Sequence, residues 1–286
     1  METETITEEP YSTYKHLKAN NIIDILRPLL QNNGYSLRLS DGKFKAKQLS
    51  ADPNTPWIHV KHARGFDCHL WHNIIFDVIS ARLPREKQFV PRHCQSCWKV
   101  VVKPKTLQQL FNLLELQKGL DRPSKCGIEV RPTVHGLYGG YFYNRSHAEG
   151  LECYDIVKNA LLENEILSVL LNDVDENNRT KNLLLKRACT EFEHLVGRSD
   201  KWEITQEQNL LEDLVERFFV NENLSLVQYE HARWDVQQRW IEWAWQNGDL
   251  TYSRYTGGEP LYPPYVTYHQ PELLQPKRDE ILFRKF

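Results

Sequence analysis

Between Trp98 and Leu162 the chain alternates between strand-type and helix-type hydrophobic patterning, and this alternation constrains the fold more than any other feature. "WKVVVKP" is a β-branched run that reads as a strand. Thr106 then opens "TLQQLFNLLELQKGL", where Thr106 and Gln109 fit a capping box and Leu107, Leu110, Phe111 and Leu114 recur at helical spacing. "CGIEVRPTV" and "LYGGYFYN" read as two further strands. A helix is expected from about His147 to Leu162, with Cys153, Ile156, Val157 and Ala160 on one face. "EILSVLLN" fits a fourth strand or a helix.

The order β-α-β-β-α predicts an α+β fold built on a central ferredoxin-like split βαβ unit. Upstream, Lys15 to Leu30 are patterned as a helix that Gly34 ends. "YSLRLSDGKFKAKQL" alternates on both sides of Asp41-Gly42, the strongest short-range hairpin signal in the chain. "WIHVKH" adds a strand and "CHLWHNIIFDVISARL" a helix closed by Pro84, giving an N-terminal α-β-β-β-α segment. Downstream, "NLLLKRACTEFEHLVG", "TQEQNLLEDLVERFF" and the Trp-rich "YEHARWDVQQRWIEWAWQNG" read as flanking helices. The expected division is a flexible acidic tail over 1–14, an N-terminal α+β segment over 15–88 and a ferredoxin-like metal-binding segment over 89–175. A helical segment over 181–250 and an extended Pro/Tyr-rich tail over 251–286 complete it.

At 286 residues with a net charge of −2, the chain has a core of ordinary size and no strongly basic coat. No apolar run approaches the ~20 residues that span a bilayer, and the acidic, polar start lacks the pattern of a secretory signal. The expectation is a cytoplasmic protein without a membrane partner. In a reducing compartment its six cysteines are core thiols, metal ligands or reactive groups rather than structural disulfides.

Cys94 and Cys97 form a Cys-x-x-Cys pair directly before the first strand of the split unit. In that threading the first two strands are parallel and the third runs antiparallel between them. Their shared edge then gathers Cys94, Cys97, Cys126 and the start of the helix carrying His147 and Cys153. Three thiolates and a fourth ligand make a closed Zn²⁺ site; four thiolates hold a [4Fe–4S] cluster instead. Cys153 is the first choice for the fourth ligand, His147 the second and Cys189 the third, against a core-packing role for Cys153 and Cys189. A thioredoxin-type dithiol is disfavoured because the pair precedes a strand rather than opening a helix.

His147-Ala148-Glu149 together with Cys94-x-x-Cys97 is similar in pieces to the zinc nucleobase deaminases. The resemblance implies Glu149 as a catalytic proton shuttle beside a metal-bound water. The order of the two motifs is reversed and no Pro adjoins Cys94, so Glu149 is weighed against a role offsetting the helix dipole. Cys189 in "KRACTEFE" is conceivable as a nucleophile activated by Lys186 and Arg187, but solvated charges around a core face fit that stretch better. Walker A, G-x-G-x-x-G, G-x-S-x-G and H-E-x-x-H motifs are all absent.

Alternation places Lys99, Lys103 and Arg131 on the sheet face away from the helices, with Tyr141 and Tyr143, or Phe142 in the other register, beside them. Cations among aromatic rings suit stacking of single-stranded nucleic acid, unless flanking segments cover that face. The expected function is therefore a metal-stabilised protein that binds or processes nucleic acid. The alternatives are a metal-dependent hydrolase or deaminase-like enzyme, and an interaction scaffold that engages a protein through the C-terminal tail.

Overall fold

The computed structural model describes residues 22–32, 35–40, 43–48, 56–61, 69–131, 134–219, 230–259 and 261. The acidic tail, the Asp41-Gly42 turn and most of the Pro/Tyr-rich tail lie outside the described residues.

The chain begins with α1 (Ile22–Asn32) and the hairpin β1 (Tyr35–Ser40) and β2 (Lys43–Gln48), paired antiparallel with Ser40 opposite Lys43. β3 (Trp57–Lys61) follows, then a π-helix, His69–Ile79, that runs through a 3₁₀ turn to Pro84. α2 (Arg92–Ser96) carries Cys94 and leads through Cys97 into β4 (Trp98–Val102). α3 (Leu107–Leu120), β5 (Ser124–Ile128), β6 (Tyr138–Asn144) and α4 (His147–Leu162) complete the alternation expected from the sequence. α5 (Glu165–Ser168) and a 3₁₀ turn lead to β7 (Leu183–Arg187). The C-terminal part contains α6 (Thr190–Leu195), α7 (Gln206–Phe218) and α8 (Glu230–Gln246).

The result is an α+β protein around a five-stranded antiparallel sheet of order β3-β5-β6-β4-β7. β6 lies between β4 and β5 and is antiparallel to both, so β4 and β5 are parallel to each other. Local chemistry supports these elements. Thr106 caps α3 by accepting from the Gln109 amide at 3.2 Å, while the Gln109 side chain accepts from the Lys105 amide. Ser146 and Glu149 cap α4 in the same reciprocal manner, Glu149 accepting from the Arg145 amide at 2.8 Å.

Helices α3, α4 and α8 cover one face of the sheet, over Val100, Val102, Cys126, Ile128 and Phe142. Close approach here demands glycine at two points. A Cβ on Gly140 would meet Leu113 Cδ2 at 2.3 Å, and one on Gly127 would meet the Pro56 carbonyl oxygen at 2.1 Å. That carbonyl also accepts from the buried Trp240 indole at 2.8 Å, tying α8 to the start of β3. A second apolar cluster joins α1, the π-helix and α7 through Leu30, Ile75, Ile79, Leu211 and Val215. A third, of Phe76, Val90, Ala188 and Phe192, joins the π-helix and α6 to the end of β7.

"NLLLKRACTEFEHLVG" departs from the single helix read in the sequence. Leu183, Leu184 and Leu185 pair with Val102, Val101 and Val100, so the run forms the edge strand beside β4. A short apolar run has no decisive period, and pairing with an available neighbour decides it. Ala188 then takes φ +51°, a left-handed conformation that ends the strand and redirects the chain into α6.

Candidate active site

Cys189 stands at this strand-to-helix junction as the N-cap of α6. The Lys99 ammonium donates to its Sγ at 2.9 Å. Lys99 projects from β4 onto the face opposite α3 and α4, and its side chain is buried. His72, from the π-helix, stands beside the same sulfur and bears on its ionisation, and its ring lies 5.0 Å from that of Phe192. Phe192 is fully buried and meets Phe76 edge to face at 4.6 Å. The aromatic packing that anchors α6 thus also fixes the imidazole against the thiol.

The electrostatics follow from this arrangement. Burial pushes the Cys189 thiol up, but the Lys99 charge and the His72 hydrogen bond outweigh it and bring it down to about 6. Burial works against the charge on Lys99, yet the facing Cys189 thiolate holds it well above the usual lysine range. Burial is the largest single influence on His72 and lowers it, but Cys189, Asp77 and Glu191 together outweigh it, so His72 too is raised. Asp77 lies 3.8 Å from His72 Nε2, is half-exposed, and has its own carboxyl raised by burial. It assists the imidazole only through the field. The site pairs the Cys189 thiolate with the Lys99 ammonium, and the same surroundings favour the charged form of His72.

Cys189 forms the boundary between two hollows that share His72 and Lys99. One is a cavity of about 110 Å³ whose other walls include Trp71, His93, Cys94, Cys97 and Phe192. His93 stacks on Trp71 at 3.9 Å, closing one side. The other hollow is a cleft of about 270 Å³ on the open sheet face, bordered by Trp57, Lys125, Glu129, Arg131, Tyr141 and Tyr143. Here Lys125 lies 4.5 Å from the Trp57 ring centroid. Arg131 pairs with Glu129 at 2.6 Å and with Glu191 at 2.9 Å, and the Tyr141 hydroxyl donates to Glu129 at 2.8 Å.

The structure divides the metal ligands expected from the sequence. Cys94 and Cys97 line the small cavity, whereas Cys126 and Cys153 are fully buried in the core beneath the helices. Cys126 pairs with Gly140 on β6, while Cys97 continues past the Trp98–Asn144 pair. At ~3.4 Å per residue that five-residue offset alone is about 17 Å, too far for two sulfurs to share an ion bonded at ~2.3 Å. The shared edge gathers the strand starts, but Cys126 lies two residues along its strand and points to the opposite face. His147 is exposed beside Trp98, and Glu149 caps its helix away from the cavity. Among the described residues no three His, Cys, Asp or Glu side chains are grouped closely enough to hold an ion.

The face assigned to Lys99, Arg131, Tyr141 and Tyr143 is the one expected, and these four border the cleft. Lys99 and Arg131 are committed to Cys189, Glu129 and Glu191, and Tyr141 is 7% exposed, so these groups face protein partners. Lys103 lies just beyond β4, half-buried, where its amide donates to the Asn182 carbonyl. Sequence reasoning missed His72 altogether and placed Cys189 on the wrong element. The available signal was the alternative reading of "LLLKR" as a strand, which puts the cysteine at a helix start beside the Lys99 face.

Comparison with protein-family models, with curated proteins and with solved structures finds no match to this chain. No described helix is long and apolar enough to cross a membrane.

Proposed function

We propose that this protein is an enzyme that works by covalent chemistry at Cys189. The observation that carries this reading is the 2.9 Å contact between the buried Lys99 ammonium and the Cys189 sulfur, with the His72 imidazole beside the same atom. A structural cysteine needs neither partner; a nucleophile needs its thiolate stabilised and a proton donor at hand. Cys189 is the nucleophile, His72 the acid that protonates the leaving group, and Lys99 the fixed charge that keeps the sulfur ionised. The substrate approaches through the sheet-face cleft, whose Trp57 and Tyr143 rings offer flat apolar walls.

The test is the pH profile of iodoacetamide alkylation, read at each cysteine by peptide mapping. Cys189 is expected to react with a midpoint near 6. A midpoint at the ordinary thiol value of ~8.5 would remove the reading. Incubation with p-nitrophenyl acetate should then place an acetyl group on Cys189 and on no other cysteine.

A second reading is favoured by one observation: Cys94, Cys97 and Cys189 border the same cavity. These three thiols, with His72 or His93, are a donor set suited to zinc or an iron–sulfur cluster once drawn together. Elemental analysis of the purified chain separates the two. A stoichiometric metal with Cys189 protected from iodoacetamide supports the metal centre, and a metal-free protein with a reactive Cys189 supports the enzyme.

A further inference from the structure

The three thiols around one cavity bear on which covalent chemistry Cys189 performs. We propose that Cys189 and Cys97 form a redox pair that reduces small hydroperoxides, an inference that rests on Cys189 being the reactive thiolate.

Three features of the site support this. First, Cys97 is placed beside Cys189 by the sheet itself. The Ala188 amide donates to the Cys97 carbonyl at 2.8 Å, extending the β4–β7 ladder one pair beyond Trp98 and Arg187. Opposed residues in such a ladder have Cα atoms ~5.5 Å apart, and Cys189 is the next residue in the chain. Disulfides span Cα separations of ~4.4–6.8 Å, so a cysteine one residue beyond the opposed position is a candidate for bridging. Second, Trp98 turns toward α4, where its ring lies 4.4 Å from that of His147. Alternation therefore turns Cys97 and Lys99 to the cavity side, and both border it. Lys99 feels the charge of both thiols. Third, the cavity holds about 110 Å³. That is about seven to eleven times the ~10–15 Å³ a single water requires, room for a small substrate of several heavy atoms.

The chemistry balances with the groups present. The Cys189 thiolate attacks the terminal oxygen of the hydroperoxide, forming an S–O bond as the O–O bond breaks. His72, as imidazolium, gives its proton to the departing alkoxide or hydroxide. Cys189 is oxidised to the sulfenic acid and the peroxide is reduced to an alcohol or water. Cys97 then attacks the Cys189 sulfur; the S–S bond forms, the S–O bond breaks, and the Cys97 proton leaves with hydroxide as water. An external thiol reductant restores both thiols by disulfide exchange.

The experiment treats the reduced full-length chain with equimolar hydrogen peroxide, blocks the remaining thiols and maps disulfides by peptide mass spectrometry. A Cys97–Cys189 disulfide reversed by dithiothreitol is the expected product. In the presence of dimedone, Cys97→Ser and Cys97→Ala should accumulate the label on Cys189 several-fold over the wild type; a second variant guards against a folding defect in one. A disulfide joining Cys189 to any other cysteine overturns the assignment of Cys97. If Cys189 alkylates as a thiolate near pH 6 yet is untouched by peroxide, the redox role fails and the nucleophile stands. If it resists both reagents, the two fall together.

Discussion

Lys99 and Cys189 are ninety residues apart in the chain, and their terminal atoms are 2.9 Å apart in the structure. Each is in an environment that would suppress its charge if it were alone. Together they hold one another ionised, and every reaction proposed for this site draws on that pairing.

Replacing Lys99 should therefore uncouple the thiol. Lys99→Met is expected to move the alkylation midpoint of Cys189 from about 6 most of the way to the ordinary ~8.5, while Lys99→Arg retains a lowered midpoint. His72→Asn should also shift the midpoint upward, since the Lys99 charge is the largest single lowering influence and the two from His72 follow it. Rate-against-pH curves for the three variants check these shifts.

Glu212 predicts a pH dependence of stability. Its side chain is fully buried on α7, accepting from the Arg92 amide at 3.0 Å and from Gln208 Nε2 at 2.7 Å. Burial raises its carboxyl to about 7 despite those donors. The folded state thus binds a proton that the unfolded chain has already released, so this group costs nothing below the unfolded value. Its cost grows as pH rises from ~4.3 and levels off above about 7. The difference is on the order of 3 kcal/mol. Glu212→Gln should flatten that part of the curve, measured by urea unfolding at pH 5 and pH 8.

Gly127→Ala should weaken the junction of β3 and β5. Its new methyl would press on the Pro56 backbone oxygen, which cannot swing aside as a side chain can. A loss of about 1–3 kcal/mol is expected, with a matching fall in melting temperature.

Phe192→Ala removes the ring that packs against both Phe76 and His72. A destabilisation of about 3–5 kcal/mol is expected for a side chain this buried. Because the imidazole loses its wall, Cys189 alkylation in the remaining folded protein should shift to higher pH. Unchanged reactivity would show that His72 is positioned by the π-helix alone.

The central alternation was readable because its signals agree at several levels. Thr106, Gln109 and the leucine stripe of α3 are mutually consistent, and α4 begins and ends at the predicted residues His147 and Leu162. The flat sheet face with Lys99, Tyr141 and Tyr143 followed from simple alternation. What escaped was decided by distant partners. Leu183–Leu185 carry no period of their own and became a strand because β4 offered an unfilled edge. "HLWHNIIF" reads as a helix, but nothing in it announces the π geometry that presents His72 to Cys189. The cysteines were misgrouped for a related reason: threading fixes which ends of strands meet, whereas the residue count along each strand and its parity decide which sulfurs do. Those two quantities separate Cys126 from Cys97.

The site's three central groups come from β4, from the turn after β7 and from the π-helix, and no local segment contains two of them. Until the last edge strand docks beside β4, position 189 carries a thiol of ordinary acidity, so the lowered midpoint is a property of the completed sheet and not of any one segment.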